Sequence, residues 1–408
     1  MLNNRKLMWL LAFTAASIIM LTGGLRMSLG LFVQPLLNTT TLTIANISLA
    51  MATCQLMWGV AQPVSGALSD RFGPYPVLFW GTLILVIGCI AMPLLISDWG
   101  LILTLGILIA FGTGAGSFSI LMSIVNNRVA ADMRGVASGI INAGNSFGQF
   151  IFAPFIQFLI LTPFIGWQGA MFILAGISLL VLPLSRWLAG SKPSQPIQSA
   201  QQAHQTDQPL SQAVKSAFKN PSYLLIHLGF FTCGFHIAFL VTHLPTEIKL
   251  FGMHAQVASW TLALIGLSNI FGSLFIGWCV GHWRSKYILF WMYGSRVVLI
   301  ALYLLSPKEP MTFYLFAIGL GFTWLGTVPP TAATVGKLFG VRYLATLFGL
   351  TLLSHQIGAF FGAYFGGLII SQHGNYEWMW YADMLLAGLA AVLCLPIKEA
   401  KIVRLKSA

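Results

Sequence analysis

The sequence predicts an all-α membrane protein of twelve transmembrane helices, arranged as two pseudo-symmetric six-helix bundles. Three observations predict it. The chain is 57% hydrophobic and only 7% charged, with a mean hydropathy of +0.83, whereas soluble domains are about a quarter charged. Apolar runs of roughly the 20 residues needed to cross a bilayer recur twelve times. The two halves also align with each other at one nearly constant offset of 210 positions.

Six runs fall near 7–33, 44–68, 76–96, 101–125, 135–161 and 168–189. The first has no small-residue cleavage site and more spans follow it, so it reads as a membrane helix and not a removable signal. Between the second and third of these lies Gly66-Ala67-Leu68-Ser69-Asp70-Arg71-Phe72-Gly73, which holds the only adjacent acid and base of the first hundred residues. A charged pair between two apolar spans cannot lie in hydrocarbon, so it marks a tight turn at the membrane surface. Gly66 is expected to let a helix end pack closely, and Gly73 to permit the reversal. Residues 191–220, with SKPSQPIQSAQQAHQTDQPL at their centre, are rich in Ser, Gln and Pro and read as a mobile cytoplasmic linker. Six further runs follow near 222–247, 256–280, 286–306, 311–336, 343–370 and 376–396. The expected organisation is an N-terminal bundle over 1–190, a linker over 191–220 and a C-terminal bundle over 221–408.

The formal charge of +12 points to topology and not to nucleic acid. Apart from Lys249, Lys308, Arg26 and Arg296, the basic residues fall in alternate loops, and that asymmetry places both termini in the cytoplasm. The 13% aromatic content, with 13 Trp, suits rings at the two membrane interfaces. Cys54, Cys89, Cys233, Cys279 and Cys394 are scattered through apolar spans and read as small core hydrophobes, with no disulfide or metal role. No phosphate-binding loop, metal-ligand cluster or nucleophile–base pairing is visible, so no enzyme and no cofactor is expected, and the lack of an ATP-binding motif argues for secondary transport.

The repeat is the most informative pattern. Thr22, Gly24 and Arg26, with Pro35 beyond, match Thr232, Gly234 and His236, with Pro245 beyond. At the same offset Thr113 and Gly116 meet Thr323 and Gly326, while Gly139, Asn145 and Gly148 meet Gly349, His355 and Gly358. Weak internal symmetry of this kind belongs to transporters built from two related bundles, with substrate held between them at the midplane. An ionisable group at bilayer depth costs about 2.5–3.5 kcal/mol on insertion scales, so each one calls for a reason. Arg26, with Gly23 and Gly30 close to its face, reads as an anchor for an anionic group through its planar guanidinium; the competing reading is snorkelling or pairing with backbone carbonyls. His236 and His243 share one face of the seventh span, opposite Arg26, where they would bind substrate or titrate, or simply pack. Asn142, Asn145 and Gln149 form a polar stripe on the fifth span, which could equally be helix–helix glue. His355-Gln356 interrupts an apolar stretch, and Trp324 would wall a cavity or pack. Arg296 and Asp383 are assigned structural roles. With Asp383 as the sole carboxylate expected at depth, such a cavity favours anions.

Read together, G-x-L-x-D-R-x-G between two apolar spans and the twelve-span plan resemble the major facilitator superfamily over essentially the whole chain. Gly24-Leu25-Arg26-Met27-Ser28-Leu29-Gly30, Arg134-Gly135-Val136-Ala137-Ser138-Gly139, Cys233-Gly234-Phe235-His236, Thr242-His243-Leu244-Pro245 and Ser354-His355-Gln356-Ile357-Gly358 look like bacterial relatives of the monocarboxylate and oxalate/formate porters. The resemblance implies a central cavity lined by spans 1, 4, 7 and 10, and a rocking motion of the bundles about it. It also implies that Gly66, Asp70, Arg71 and Gly73 form a cytoplasmic gating latch. The repeat places a second copy at Gly277, where Gly281 stands in the acid's place, so the latch is one-sided. In the oxalate/formate type an arginine follows a glycine in span 8, where this chain has Gly272-Ser273, and a lysine lies near the position of His355. The usual two-point carboxylate clamp is therefore missing, which disfavours dicarboxylates.

The expected protein is a monomeric, multi-pass transporter of the bacterial cytoplasmic membrane. It would move a small organic anion, with a monocarboxylate foremost, and protons are a candidate coupling ion. The alternatives are an exporter of hydrophobic drugs or metabolites, suggested by the many Phe, Met and Trp, and a transporter-like sensor that moves nothing.

Overall fold

The computed structural model describes residues 2–126, 128–129, 133–190, 209–340 and 343–399. Among them are twelve helices long and apolar enough to cross a membrane. In order they are Lys6–Thr39, Ile44–Ser69, Pro74–Ala91, Asp98–Val125, Val136–Leu161 and Gly166–Gly190, then Pro221–Leu250, Ala255–His282, Ser285–Leu305, Pro310–Phe339, Thr346–His373 and Glu377–Cys394, called spans 1 to 12 below. Large apolar side chains such as Trp80, Phe158, Phe271, Trp291 and Leu385 point outward. A helix surface of that kind is stable only against hydrocarbon.

Four of the repeat glycines, Gly24, Gly148, Gly234 and Gly358, are where helices meet within each bundle. A Cβ on Gly24 would come within 2.7 Å of the Gly148 backbone, which brings span 1 against span 5. At the equivalent place, a Cβ on Gly234 would overlap the carbonyl of His355, and one on Gly358 would overlap that of Phe231. This brings span 7 against span 11. Without a hydrophobic drive between helices in lipid, such close backbone contact supplies the packing energy. Gly234→Ala is therefore expected to destabilise the C-terminal bundle by about 1–3 kcal/mol, the usual range for overpacking, seen as a lowered Tm of the detergent-purified protein.

The bundles touch along three seams. Span 2 lies on span 11, where Gly59 faces the Gln356 side chain, Gly367 faces Ser48, and Ala52, Ala238, Ala359 and Ala363 cluster. Span 5 lies on span 8 through Gly266 and the Ser146 carbonyl. At the end remote from the termini, hereafter the far end, span 1 lies on span 7: a Cβ on Gly30 would overlap the carbonyl oxygen of Val241, and Lys249 Nζ donates to Gln34 Oε1 at 2.9 Å. Spans 4 and 10 do not pack on each other over any comparable length among the described residues.

Spans 1, 4 and 10 are discontinuous. Span 1 is α-helical over Leu2–Met27, tightens to a 3-10 turn at Leu29–Phe32, and resumes as Val33–Thr39. Pro35 explains this, because its missing N–H leaves the Leu31 carbonyl without a helical partner. Span 4 contains a π-helical stretch at Ile102–Ile109 and breaks at Gly116-Ser117 before Phe118–Asn126. Span 10 ends its first half at Thr323 and restarts at Val328. Pro329 and Pro330, early in the second half, have no N–H to offer the carbonyls of Leu325 and Gly326. The repeat-related Pro245 has no such effect: helix Pro221–Leu250 runs through it unbroken.

Two expectations need correction. Residues 191–220 are not wholly an unstructured linker, because Leu210–Lys219 is an amphipathic helix whose Phe218 packs edge-on against Tyr223. Its apolar positions are spaced by three and four residues and interrupted by Lys215 and Lys219, a pattern too short to stand out. Gly66 is not a close-packing point either, since a Cβ there would meet nothing within 4 Å; helix Ile44–Phe72 continues past it and ends where Gly73 takes φ 87. Arg71 is exposed, with its guanidinium 5.1 Å from the Phe72 ring. The side chains of Asp70 and Arg134 lie outside the described residues, as does the linker over 191–208.

Candidate substrate site

Arg26 sits one residue before the end of the first helix of span 1, at 7% exposure. Its Nη1 donates to Gln55 Oε1 at 2.8 Å, Nη2 reaches Met27 Sδ at 3.8 Å, and the guanidinium lies 4.0 Å over the Trp58 ring. Its Nε–H has no partner, and no carboxylate lies within ion-pairing distance of it among the described residues. The planar cation thus has a neutral amide at one edge, an aromatic face beneath it, and one donor left over. Gln55 and Trp58, one helical turn apart on span 2, were missed in the sequence because neither interrupts an apolar run conspicuously.

Arg296 is the instructive contrast. It is fully buried, yet its Nη2 donates to the carbonyls of Thr323 at 2.8 Å and Trp324 at 2.9 Å, and Nη1 reaches Cys233 Sγ at 3.5 Å. Those carbonyls close the first half of span 10, where the helix dipole is negative and the carbonyls lack helical donors. Its charge is met by a helix end. Arg26 also stands in the last turn of a helix, but its guanidinium reaches Gln55 and Met27 and no such carbonyls.

His236 is repeat-related to Arg26 but does not face it. Its Nδ1–H donates to Asp383 Oδ2 of span 12, and both side chains are fully enclosed. The partner of the His236 ring lies 147 residues away in sequence, on span 12. His243 is engaged on both nitrogens. Nε2–H donates to the Ala363 carbonyl at 2.7 Å, Nδ1 accepts from Tyr376 Oη at 3.1 Å, and the ring fills the space left by Gly366.

The stripe on span 5 divides between its neighbours. Asn145 lies against Gly23 of span 1, and Gln149 lies near Gly266 of span 8 with its Nε2 unpartnered. Asn142 is half-buried. His355, 5.0 Å from the Phe230 ring, takes a hydrogen bond from Gln356 Nε2 at 3.2 Å. Trp324 is fully buried at the break of span 10, and its Nε1–H has no partner. Buried donors without a partner therefore include Arg26 Nε, Gln149 Nε2 and Trp324 Nε1, from spans 1, 5 and 10, and also Arg296 Nε of span 9.

Two further residues of consequence escaped the sequence reading. Asn269 of span 8 donates to Ser146 Oγ of span 5 at 2.7 Å and accepts from the Leu325 N–H at 3.0 Å and from Ser273 Oγ at 3.2 Å. It ties the break of span 10 to the other bundle. Asn269→Ala would strand two buried groups at about 1–3 kcal/mol each, and a fall in Tm of the purified protein checks this. Glu247 is the second. Asp383 is not the sole deep carboxylate: Glu247 is buried in span 7 and accepts from Tyr303 Oη at 3.0 Å and Trp380 Nε1 at 2.7 Å. In each acid one carboxylate oxygen is engaged by protein groups and the other is unpartnered.

Twelve membrane-crossing helices in two bundles, with broken helices at their seams and a charge-poor interior, define a membrane transporter. A model of the Major Facilitator Superfamily matches residues 12–363, and the chain belongs to that family. It is similar to monocarboxylate transporter 13 of Bos taurus, 24% identical over 396 residues, covering 95% of this chain and 89% of that protein. It is similar also to the oxalate:formate antiporter of Oxalobacter formigenes, 23% identical over 419 residues, covering 99% and 93%. Among solved structures, a D-xylose-proton symporter shares the fold with TM-score 0.73 at 14% identity, covering 95% of this chain and 97% of the other.

Proposed function

We propose that the protein is a secondary active transporter of a small organic anion, foremost a monocarboxylate, working by alternating access in the bacterial cytoplasmic membrane. The termini lie in the cytoplasm and the far end faces outward. The observation that carries this reading is the guanidinium of Arg26, buried among neutral groups with one donor unpaired. A buried cation without a counter-charge is costly, and an anionic ligand removes the cost while accepting the spare N–H. The similarity to a monocarboxylate transporter and an oxalate:formate antiporter supports the anion class. Ser273 and His355 stand where the resemblance implies an arginine and a lysine, and this favours one carboxylate over two. The closed seam between Gly30 and Val241 fits a conformer sealed toward the outside.

The test is counterflow in proteoliposomes. Preloading with unlabelled acids from a panel of mono- and dicarboxylates should drive entry of the labelled form of at least one monocarboxylate. Counterflow by none of them, together with raised drug resistance in an overexpressing strain, would move the assignment to hydrophobic export.

A further inference from the structure

The outer face of the C-terminal bundle carries a groove of about 760 Å³ between spans 8, 9 and 10, a volume within the range of small-molecule sites. Its origin lies in the packing. Span 8 is pressed against the first half of span 10, where a Cβ on Gly272 would overlap the Phe322 carbonyl and one on Gly321 would come within 2.6 Å of that of Ile265. Span 9 lies along the other side of span 10, and spans 8 and 9 scarcely meet. The cleft between them deepens where side chains are missing. Gly294 and Gly319 both line it, and a Cβ on Gly294 would meet nothing within 4 Å. Phe271, Phe290, Trp291 and Phe322 form its walls, with Phe271 62% and Trp291 70% exposed.

Little in the groove could hold a polar ligand. Two of its three hydroxyls are already spent: Ser295 Oγ donates to the Met292 carbonyl at 2.9 Å and Thr323 Oγ1 to the Leu320 carbonyl at 3.0 Å. What remains is apolar surface at bilayer depth, where hydrocarbon is the solvent. Its length suits one leaflet. Span 9 lines the groove from Phe290 to Leu299, a rise of about 14 Å, against about 15 Å for half of a hydrocarbon core. One turn before Phe290, on the same helix face, Lys286 stands at the end of span 9 nearest the termini. Its Nζ donates to the neutral Leu395 carbonyl at 2.9 Å, and no carboxylate pairs with it among the described residues. Arg284 beside it is committed to Glu399, with Nε 3.7 Å from Oε1.

From this arrangement we propose that the groove binds one acyl chain of an anionic phospholipid whose phosphate pairs with Lys286. The chain lies against Phe322 and Thr323, the last residues of the first half of span 10. The opposite wall is span 9, whose Arg296 holds the Thr323 carbonyl at 2.8 Å. The bound chain therefore fills the wedge between the two helices that this contact joins, and braces the break of span 10 from the bilayer side. Lipid tails elsewhere are as apolar as the groove, so the preference for this chain comes from packing contacts and from the headgroup charge. The site is separate from Arg26 and independent of the cargo.

The experiment is native mass spectrometry of delipidated protein in detergent, titrated with phosphatidylglycerol, with Tm read in parallel and no transported substrate present. Wild type should take up one tightly bound lipid and gain Tm. Gly294→Leu should fold, because a Cβ there meets open space and the helix loses an interior glycine. It should deny the chain about ten atom contacts and so weaken binding roughly tenfold. Gly294→Ala, with one added carbon in place of four, should give a smaller loss in the same direction. Lys286→Gln should weaken binding about fivefold. No tight lipid on wild type, or binding by Gly294→Leu or Lys286→Gln equal to that of wild type, would overturn the proposal. Displacement of the lipid by glycerol 1-phosphate, which has the charge and no chain, would overturn it as well. So would a wild-type dimer that Gly294→Leu converts to monomers, since a second copy would then cover the groove.

Discussion

Arg26→Ala should abolish transport of the cargo anion while the protein still inserts and purifies as wild type does. A hydrogen bond to a charged group contributes about 1.5–3 kcal/mol, so loss of the anchor lowers affinity by roughly 10- to 150-fold. The fold should tolerate the change because Arg26 contributes no ion pair, only a bond to Gln55 and a face-on contact with Trp58. Arg26→Lys separates geometry from charge: an ammonium keeps the positive charge but loses the planar fork, so intermediate activity is expected. Uptake measured against expression level and Tm checks all three proteins together. Normal uptake by Arg26→Ala would remove the residue from the transport site.

Gly30→Val should unseal the far end. A Cβ at this position overlaps the carbonyl oxygen of Val241 and comes within about 3.1 Å of that of Thr242, both on the opposite bundle. Backbone cannot retreat as a flexible side chain does, so the two spans must part. Overpacking of about 1–3 kcal/mol, applied to two nearly balanced conformers, shifts their ratio by roughly 5- to 150-fold. The five native cysteines are buried, which makes an introduced thiol a clean reporter. In a Thr242→Cys background, where the reporter starts at 1% exposure, labelling by a membrane-impermeant maleimide should rise severalfold on adding Gly30→Val. Equal labelling with and without the change would show that the Gly30 contact does not hold the seam.

How much of this was legible in the sequence depends on the range of the interaction. Spans are legible because hydrocarbon imposes its thickness on every helix separately, and the twelve apolar runs coincide with the twelve membrane-crossing helices to within a few residues at most ends. The 210-residue repeat pointed correctly to Gly24, Gly148, Gly234 and Gly358 as special positions. Their shared property is close backbone packing, which the repeat preserves because both bundles are assembled alike. Arg26 and His236 share a repeat position without sharing a partner. Gln55 is 29 residues from Arg26 and Asp383 is 147 from His236, and the repeat equivalent of Gln55 is the apolar Ile265. Side-chain pairing across the bundle is a tertiary choice that no local pattern encodes. The break of span 10 was within reach, since adjacent prolines at 329 and 330 cannot continue a helix without loss. The role of Arg296 at the released carbonyls follows only once the helices are placed.

The central claim, an anion site anchored on Arg26, is tested most directly by thermal unfolding of the purified protein with matched pairs of small monocarboxylates and their neutral amides. A ligand at about a hundredfold excess over its Kd stabilises the folded state by about 2.7 kcal/mol, enough to register as a clear rise in Tm. The account expects at least one acid to raise Tm, its amide to leave Tm unchanged, and the acid's effect to vanish in Arg26→Ala. Equal stabilisation by acid and amide, or an acid effect that survives in Arg26→Ala, would contradict it.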